Sequence, residues 1–116
     1  MKSVEQLDVY KIAFQLTLNI YKITESFPKS ELFGLVSQMR RSAVSINSNL
    51  TEGSARASTK EYKHFVSISK GSTAELDYQI KIAHALGFID KENFEKLKED
   101  IERIGRMLTG LYKSLK

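Results

Sequence analysis

Leu32, Val36, Met39, Ala43, Ile46 and Leu50 recur at alternating spacings of four and three residues, the period of an apolar stripe on a helix packed against other helices. One flank over, Gln38, Ser42, Ser45, Asn49 and Glu52 repeat with the same rhythm. A helix that only has to be solvated carries Lys and Glu at such positions. Small hydroxyls and an amide predict a close, hydrogen-bonded contact instead, and the pattern points towards assembly.

The rest of the chain offers few places to stop a helix, with one Pro and six Gly in 116 residues. Ser3 with Gln6 forms a capping box for a first helix that runs to about Ser26, where Phe27-Pro28 ends it. A second helix starts near Ser30 and ends around Gly53, a C-terminal glycine. Ser58 and Glu61 form a stronger capping box for a third, which continues to Leu86 with Gly87 just beyond; at 1.5 Å per residue it is about 43 Å long. Asp90 caps a fourth that runs almost to Lys116. The short connections favour antiparallel neighbours, so the expected fold is all-α, an antiparallel up-down-up-down four-helix bundle forming a single domain over residues 1–116.

The length suffices for a real core without disulfides or a structural metal. The chain has no Cys, which excludes thiol chemistry and fits a reducing cytoplasm. It has no apolar run long enough to span a membrane, and a start, MKSVEQLDVYK, too charged for a signal peptide; the expected location is cytoplasmic, away from membranes. Lys and Arg number 18 against 14 Asp and Glu, a basic balance that permits an acidic partner without requiring one.

The helices differ in how much of their circumference is apolar. The fourth has one stripe, Phe94, Leu97, Ile101, Ile104, Leu108, Leu111 and Leu115, and charge over most of the remainder. The first carries Leu7, Tyr10, Phe14, Leu18 and Tyr21 on one side and Val9, Ala13, Leu16, Ile20, Ile23 and Phe27 on nearly the other. In a four-helix square each helix buries one face, so the second apolar face calls for another subunit, with the Ile20 side as its marker; the alternative is an irregular monomer that turns both faces partly inward. The expected core line of the third helix, Tyr62, Phe65, Ser69, Ser72, Leu76, Ile80 and Ala83, is small and hydroxylated in its middle. Beside it Glu75 is either a buried carboxylate needing Arg40, Arg41 or Arg56, or a solvated group at a helix edge; the sequence leaves both open.

Several ordered elements, LDVYKIAFQL, FPKSELFGLVSQMRRSAVSINSNLTEGSAR, Gly71-Ser72-x-x-Glu75, ALGFI and RMLTGLYKSL, together resemble the four-helix-bundle family encoded in intervening sequences of bacterial 23S ribosomal RNA genes. They also resemble the related accessory variability proteins of diversity-generating retroelements. The resemblance covers nearly the whole chain. It implies a cytoplasmic bundle assembled as a ring-shaped homopentamer, without enzymatic activity or cofactor, with RNA or DNA as partner and, in the retroelement branch, a reverse transcriptase. Asn47 stands where family members often have Pro, and Thr51 where Ala is usual. The family's polar positions fall on Arg40, Arg41, Asn49, Glu52, Gly53, Arg56, Gly71, Ser72 and Glu75, most of which suit fold and interface roles, as do Ser42 and Ser45. Gly53 permits the turn that releases the chain, and Gly71 a close helix approach. Arg40 and Arg41 project about 100° apart, so one can pair with an acid while the other meets phosphate.

From Lys29 to Gly71 seven basic residues face three acids. Lys63, Lys70 and Lys81 share one face of the third helix, which makes Lys63 and Lys70, with Arg40 and Arg41, the candidate nucleic-acid contacts. No aromatic residue interleaves that face in sequence to provide a stacking platform. The start of the fourth helix is acidic, an asymmetry able to orient neighbouring subunits.

Chemistry is poorly represented. Glu61-x-x-His64 has the spacing of di-iron bundles, but those need a second such pair and further carboxylates, and His84 has Lys81 in that place, so no metal site is expected. No GxxxxGK[ST] loop and no Ser/His/Asp or Cys/His set is present, and Asn49-Leu50-Thr51 matches the glycosylation pattern only by chance. Two classes of function remain: a ring-forming nucleic-acid-binding or accessory protein, and a protein-binding scaffold with an incidentally basic surface. Salt dependence separates them, because phosphate contacts release counterions.

Overall fold

The computed structural model describes residues 3–116. Four α-helices carry the fold, α1 (Asp8–Thr24), α2 (Ser37–Ser54), α3 (Thr59–Ala85) and α4 (Lys91–Ser114), and no strand occurs among the described residues. Each helix packs on its neighbour in sequence and α1 also touches α4, which closes a four-helix bundle. The core is formed by Val9, Ala13, Leu16 and Ile20 of α1, Met39, Ala43, Ile46 and Leu50 of α2, Val66, Leu76, Ile80 and Ala83 of α3, and Leu97, Ile101, Ile104 and Leu108 of α4.

Local chemistry sets most boundaries. The Ser58 hydroxyl accepts the Glu61 backbone N–H at 3.1 Å and opens α3, and an Asp90 carboxylate oxygen accepts the Asn93 N–H at 2.8 Å to open α4. At the end of α3, Gly87 adopts φ +83°, the left-handed conformation that costs glycine nothing. The Phe88 N–H then reaches the Ala83 carbonyl at 2.9 Å and the Gly87 N–H the His84 carbonyl at 3.0 Å, satisfying carbonyls that a helix end otherwise strands. This turn places Phe88 against Phe27, ring centroids 5.4 Å apart.

Two helix starts differ from expectation. Ser3 does donate its N–H to Gln6 Oε1 at 3.0 Å, but the pair closes only a single 3-10 turn, Val4–Gln6, and the extended backbone of Leu7 separates it from α1. The second helix does not begin at Ser30. A 3-10 turn (Lys29–Glu31) leads into a π-helical turn (Leu32–Val36) containing Gly34 at φ −111°, ψ −107°, and the regular helix follows. An extra residue in a turn rotates everything before it by about 100°. Leu35 and Val36 are therefore buried, whereas Leu32, which the periodicity assigns to the apolar stripe, is 49% exposed and Phe33 is 93% exposed.

The first helix turns Val9, Ala13, Leu16 and Ile20 inward and leaves Phe14, Leu18 and Tyr21 in the open. The face with an unmet partner is thus the opposite of the one marked by Ile20. Asn47 of α2 holds it there by donating its amide to the Tyr10 carbonyl at 2.9 Å, and the Thr17 hydroxyl, bonded to the Ala13 carbonyl of its own helix at 2.8 Å, also reaches the Ala43 carbonyl of α2 at 3.2 Å. These bonds fix the rotation of α1 about its axis.

Candidate functional site

Residues 60, 63, 67 and 70 follow one another at three- and four-residue steps and so share one face of α3. Along it a groove of about 480 Å³ is lined by Lys60, Lys63, His64 and Ser67 of α3 and by Tyr112 and Lys116 from the end of the chain. The Lys63 ammonium lies over the Tyr112 ring, 4.6 Å from its centroid, and the Lys70 ammonium is 5.9 Å away. Both lysines are half-buried, consistent with aliphatic stems resting on the helix surface while the heads stay in water. Among the described residues, no Asp or Glu lines the groove. Lys81, on the same face by sequence, is instead paired with Asp77 at 2.9 Å.

Arg40 and Arg41 lie elsewhere. The Arg40 guanidinium donates to Thr24 Oγ1 at 3.0 Å and to the Tyr21 carbonyl at 3.2 Å, and its plane sits 4.6 Å from the Tyr21 ring centroid. A cation supplying donors to the last turn of α1 satisfies its free carbonyls and its dipole, so Arg40 works as a clamp between α1 and α2. Arg41 is exposed in a second, polar groove between α2 and α3, together with Gln38, Ser42, Ser45, Ser72 and Glu75. The four candidate cations accordingly form no single patch. Lys63 and Lys70 belong together; Arg40 and Arg41 lie apart from them, and both border a groove that runs past Tyr21, Phe33 and Val44.

The polar stripe of α2 meets the middle of α3. Ser45 Oγ and Ser72 Oγ are 2.8 Å apart, Asn49 donates to the Ser45 carbonyl at 2.8 Å and to its hydroxyl at 2.9 Å, and Ser69 donates to the Ile46 carbonyl at 2.8 Å. Ser42, Ser69 and Ser72 are buried, as are Thr73 and Gln79, two polar core positions outside the expected line. At the end of α2, Arg56 bridges Glu52 at 2.6 Å and Glu61 at 3.7 Å and covers the Phe65 ring at 4.9 Å. Glu75 is exposed, which selects the solvated alternative. His84 also has a structural role, with its Nδ1 2.9 Å from the Ile89 carbonyl and its ring stacked 4.1 Å from that of Phe94.

The close approach falls at Gly53 and not at Gly71. Gly53 does not release the chain: the helix continues through Ser54. A Cβ at Gly53 would lie 2.7 Å from Phe65 Cβ and 3.0 Å from Tyr62 Cδ1, so α2 and α3 are in close contact there; at Gly71 a Cβ would meet nothing within 4 Å. The same burial beside Gly53 raises the pKa of the Tyr62 phenol.

A third surface runs along α1 and α2. Phe14 is 54% exposed, and Leu18, Tyr21, Leu32, Phe33 and Val44 are exposed around it. Two shallow grooves follow this surface, one past Tyr21, Leu32, Phe33 and Val44, the other past Tyr10, Phe14, Val44 and Asn47. Exposed apolar side chains gathered on one face are a candidate interaction surface.

No helix among the described residues is long and apolar enough to cross a membrane. The fold is similar to that of a crystal structure of a protein of unknown function from the S23 ribosomal protein family of Bacteroides thetaiotaomicron, at a TM-score of 0.81 and 21% identity, covering 90% of this chain and 98% of that one. A search among curated proteins finds no match. The family model for the 23S rRNA-intervening sequence protein matches residues 5–110, nearly the full length of the bundle, and the chain therefore belongs to the 23S rRNA-intervening sequence protein family.

Proposed function

We propose that the protein is a non-enzymatic, self-assembling bundle that binds nucleic acid through the α3 face carrying Lys63 and Lys70. The observation that carries this reading is the groove beside Tyr112, where Lys60, Lys63 and Lys116 converge without an acidic neighbour in its lining. Uncompensated cations along one helix face suit a phosphate backbone, and no base-edge reading set accompanies them, so recognition is of the backbone with little sequence preference. Assembly multiplies the contacts: a homopentamer presents the groove five times, and linked weak sites bind together far more tightly than one alone. The exposed strip with Phe14, Leu18 and Tyr21 supports self-association, because α1 then buries its second apolar face against another copy.

The test is binding of RNA and DNA oligomers across a salt series, with subunit number followed by light scattering. Affinity that falls steeply with salt, and that Lys63→Glu with Lys70→Glu weakens for all sequences while the assembly persists, supports the reading. Absence of binding by the parent protein at about 50 mM salt leaves the protein-binding scaffold, which the same apolar strip would serve. A stable monomer refutes the ring.

A further inference from the structure

We infer that the groove between α3 and the end of α4 takes an unpaired polynucleotide strand, with Tyr112 as the surface on which a base stacks and the surrounding lysines as its phosphate contacts. The inference rests on the nucleic-acid reading above and specifies the form of the ligand.

Tyr112 stands outside the hydrophobic core and meets α3 through the Lys63 and Lys70 ammonium groups. The apolar stripe of α4 runs through Leu97, Ile101, Ile104 and Leu108 to Leu111 and Leu115, and Tyr112 falls outside it, 37% exposed. Here the groups gathered around it are cationic: Lys63 and Lys70 approach the ring itself, and Lys60, Lys116 and the exposed His64 line the same groove. An aromatic ring set among uncompensated cations has the composition of a single-strand binding surface, in which bases stack on rings and ammonium groups follow the backbone.

The ammonium groups near Tyr112 do not block that use. Lysine side chains are long and flexible, and an exposed cation over a ring is held weakly; when a base takes the ring, the same ammonium is placed to meet the adjoining phosphate. A duplex cannot use the site in this way, because its base faces are already stacked on one another and only its phosphates are presented. Tyr112 should therefore matter for unpaired strands alone, whereas the lysines matter for both forms.

The experiment compares the intact protein with Tyr112→Leu, Tyr112→Phe and the double variant Lys63→Glu/Lys70→Glu. Fluorescence anisotropy at about 50 mM salt reads binding of labelled oligo(dT), oligo(rU) and a mixed-sequence duplex, each about 20 nucleotides or base pairs long; circular dichroism confirms that each variant folds. The expected result is that Tyr112→Leu weakens binding of unpaired strands about tenfold, within the range for losing one stacked base, and leaves duplex binding within about twofold. Tyr112→Phe keeps parental affinity, and the lysine variant loses both ligands. Tyr112→Leu binding unpaired strands as the parent does, or losing duplex and single strand equally, overturns the inference while leaving the basic groove intact. A parent that binds neither form overturns both readings.

Discussion

Replacing Gly53 with Ala should destabilise the protein, although alanine is the better helix former. In an open helix the change gains about 0.8–1.0 kcal/mol, because glycine loses more backbone entropy on folding. At Gly53 the new Cβ would stand 2.7 Å from Phe65 Cβ, 3.0 Å from Tyr62 Cδ1 and 3.3 Å from the Tyr62 carbonyl oxygen. Carbon atoms pack at about 3.5–4.0 Å, so the contact is roughly 1 Å short, and Phe65 Cβ is fixed to the α3 backbone and cannot swing aside. Parting α2 from α3 relieves the clash and weakens the Ser45–Ser72 and Ser69–Ile46 bonds, both 2.8 Å long. A contact this short against an atom that cannot move belongs in the upper part of the usual overpacking cost, about 2–3 kcal/mol, which leaves a net loss of about 1–2 kcal/mol after the helix gain. Gly71→Ala is the control: with nothing within 4 Å of the new methyl group, it should stabilise by about 0.5–1 kcal/mol. At about 4 °C per kcal/mol for a chain of this size, the two variants should melt about 6–12 °C apart, on opposite sides of the parent. Thermal unfolding followed by circular dichroism reads the difference. A Gly53→Ala variant melting at or above the parent would falsify the close-approach argument, and a Gly71→Ala variant that loses stability together with subunits would show that a second copy reaches α3 there.

Phe14→Asp should dissociate the assembly into folded subunits, whereas Ile20→Asp, at a fully buried position, should abolish folding by leaving a charge without a partner in the core; light scattering and circular dichroism together separate these outcomes. Ser45→Leu should cost roughly 1–3 kcal/mol by forcing volume into the contact with Ser72, and an unchanged melting temperature would place that contact in open space. Burial raises the pKa of Asp100, with Glu99 adding in the same direction and Lys96 and Arg103 opposing. The folded protein therefore holds that proton more tightly than the unfolded chain, and this group's contribution declines as pH rises through the carboxylate range. Asp100→Asn should remove that decline, so the variant should gain stability relative to the parent between acidic and neutral pH, measured by denaturant titration.

Most of the bundle could be read from short-range chemistry. Ser58 with Glu61, Asp90, Gly87 and Phe27-Pro28 act on groups within a few residues, and a periodic stripe reports its own buried side. The errors arose where one residue's geometry changes the phase of many, or where distant segments meet. Gly34 leaves the helical region and rotates Leu32 out of the core; nothing in the spacing of Leu32, Val36 and Met39 discloses this. Thr17 and Asn47 fix the rotation of α1 through bonds to carbonyls on the facing helix, and an apolar pattern present on both sides of a helix cannot say which side those bonds will choose. The basic face of α3 was visible in the positions of Lys63 and Lys70. Its aromatic member was not, because Tyr112 arrives from another helix and lies off that helix's own apolar stripe.

The hydroxyl contacts between α2 and α3 also bear on how the chain finds its register. Interlocking aliphatic side chains have near-equivalent arrangements one helical turn apart, about 5.4 Å along the axis, and an oily interface can settle into more than one. Ser69 must find the Ile46 carbonyl and Ser45 must find Ser72; a slip by one turn strands the fully buried Ser69 hydroxyl where water cannot reach it, at the cost of an unmade bond. The approach of Gly53 to Phe65 enforces the same alignment by volume, since a slipped pair would put a side chain where only a hydrogen atom fits. The two helices therefore fit together as a lock with a single key position. A misregistered α2–α3 pair lacks both the bonds and the fit of the aligned one, and α1 and α4 pack against helices whose alignment these contacts define.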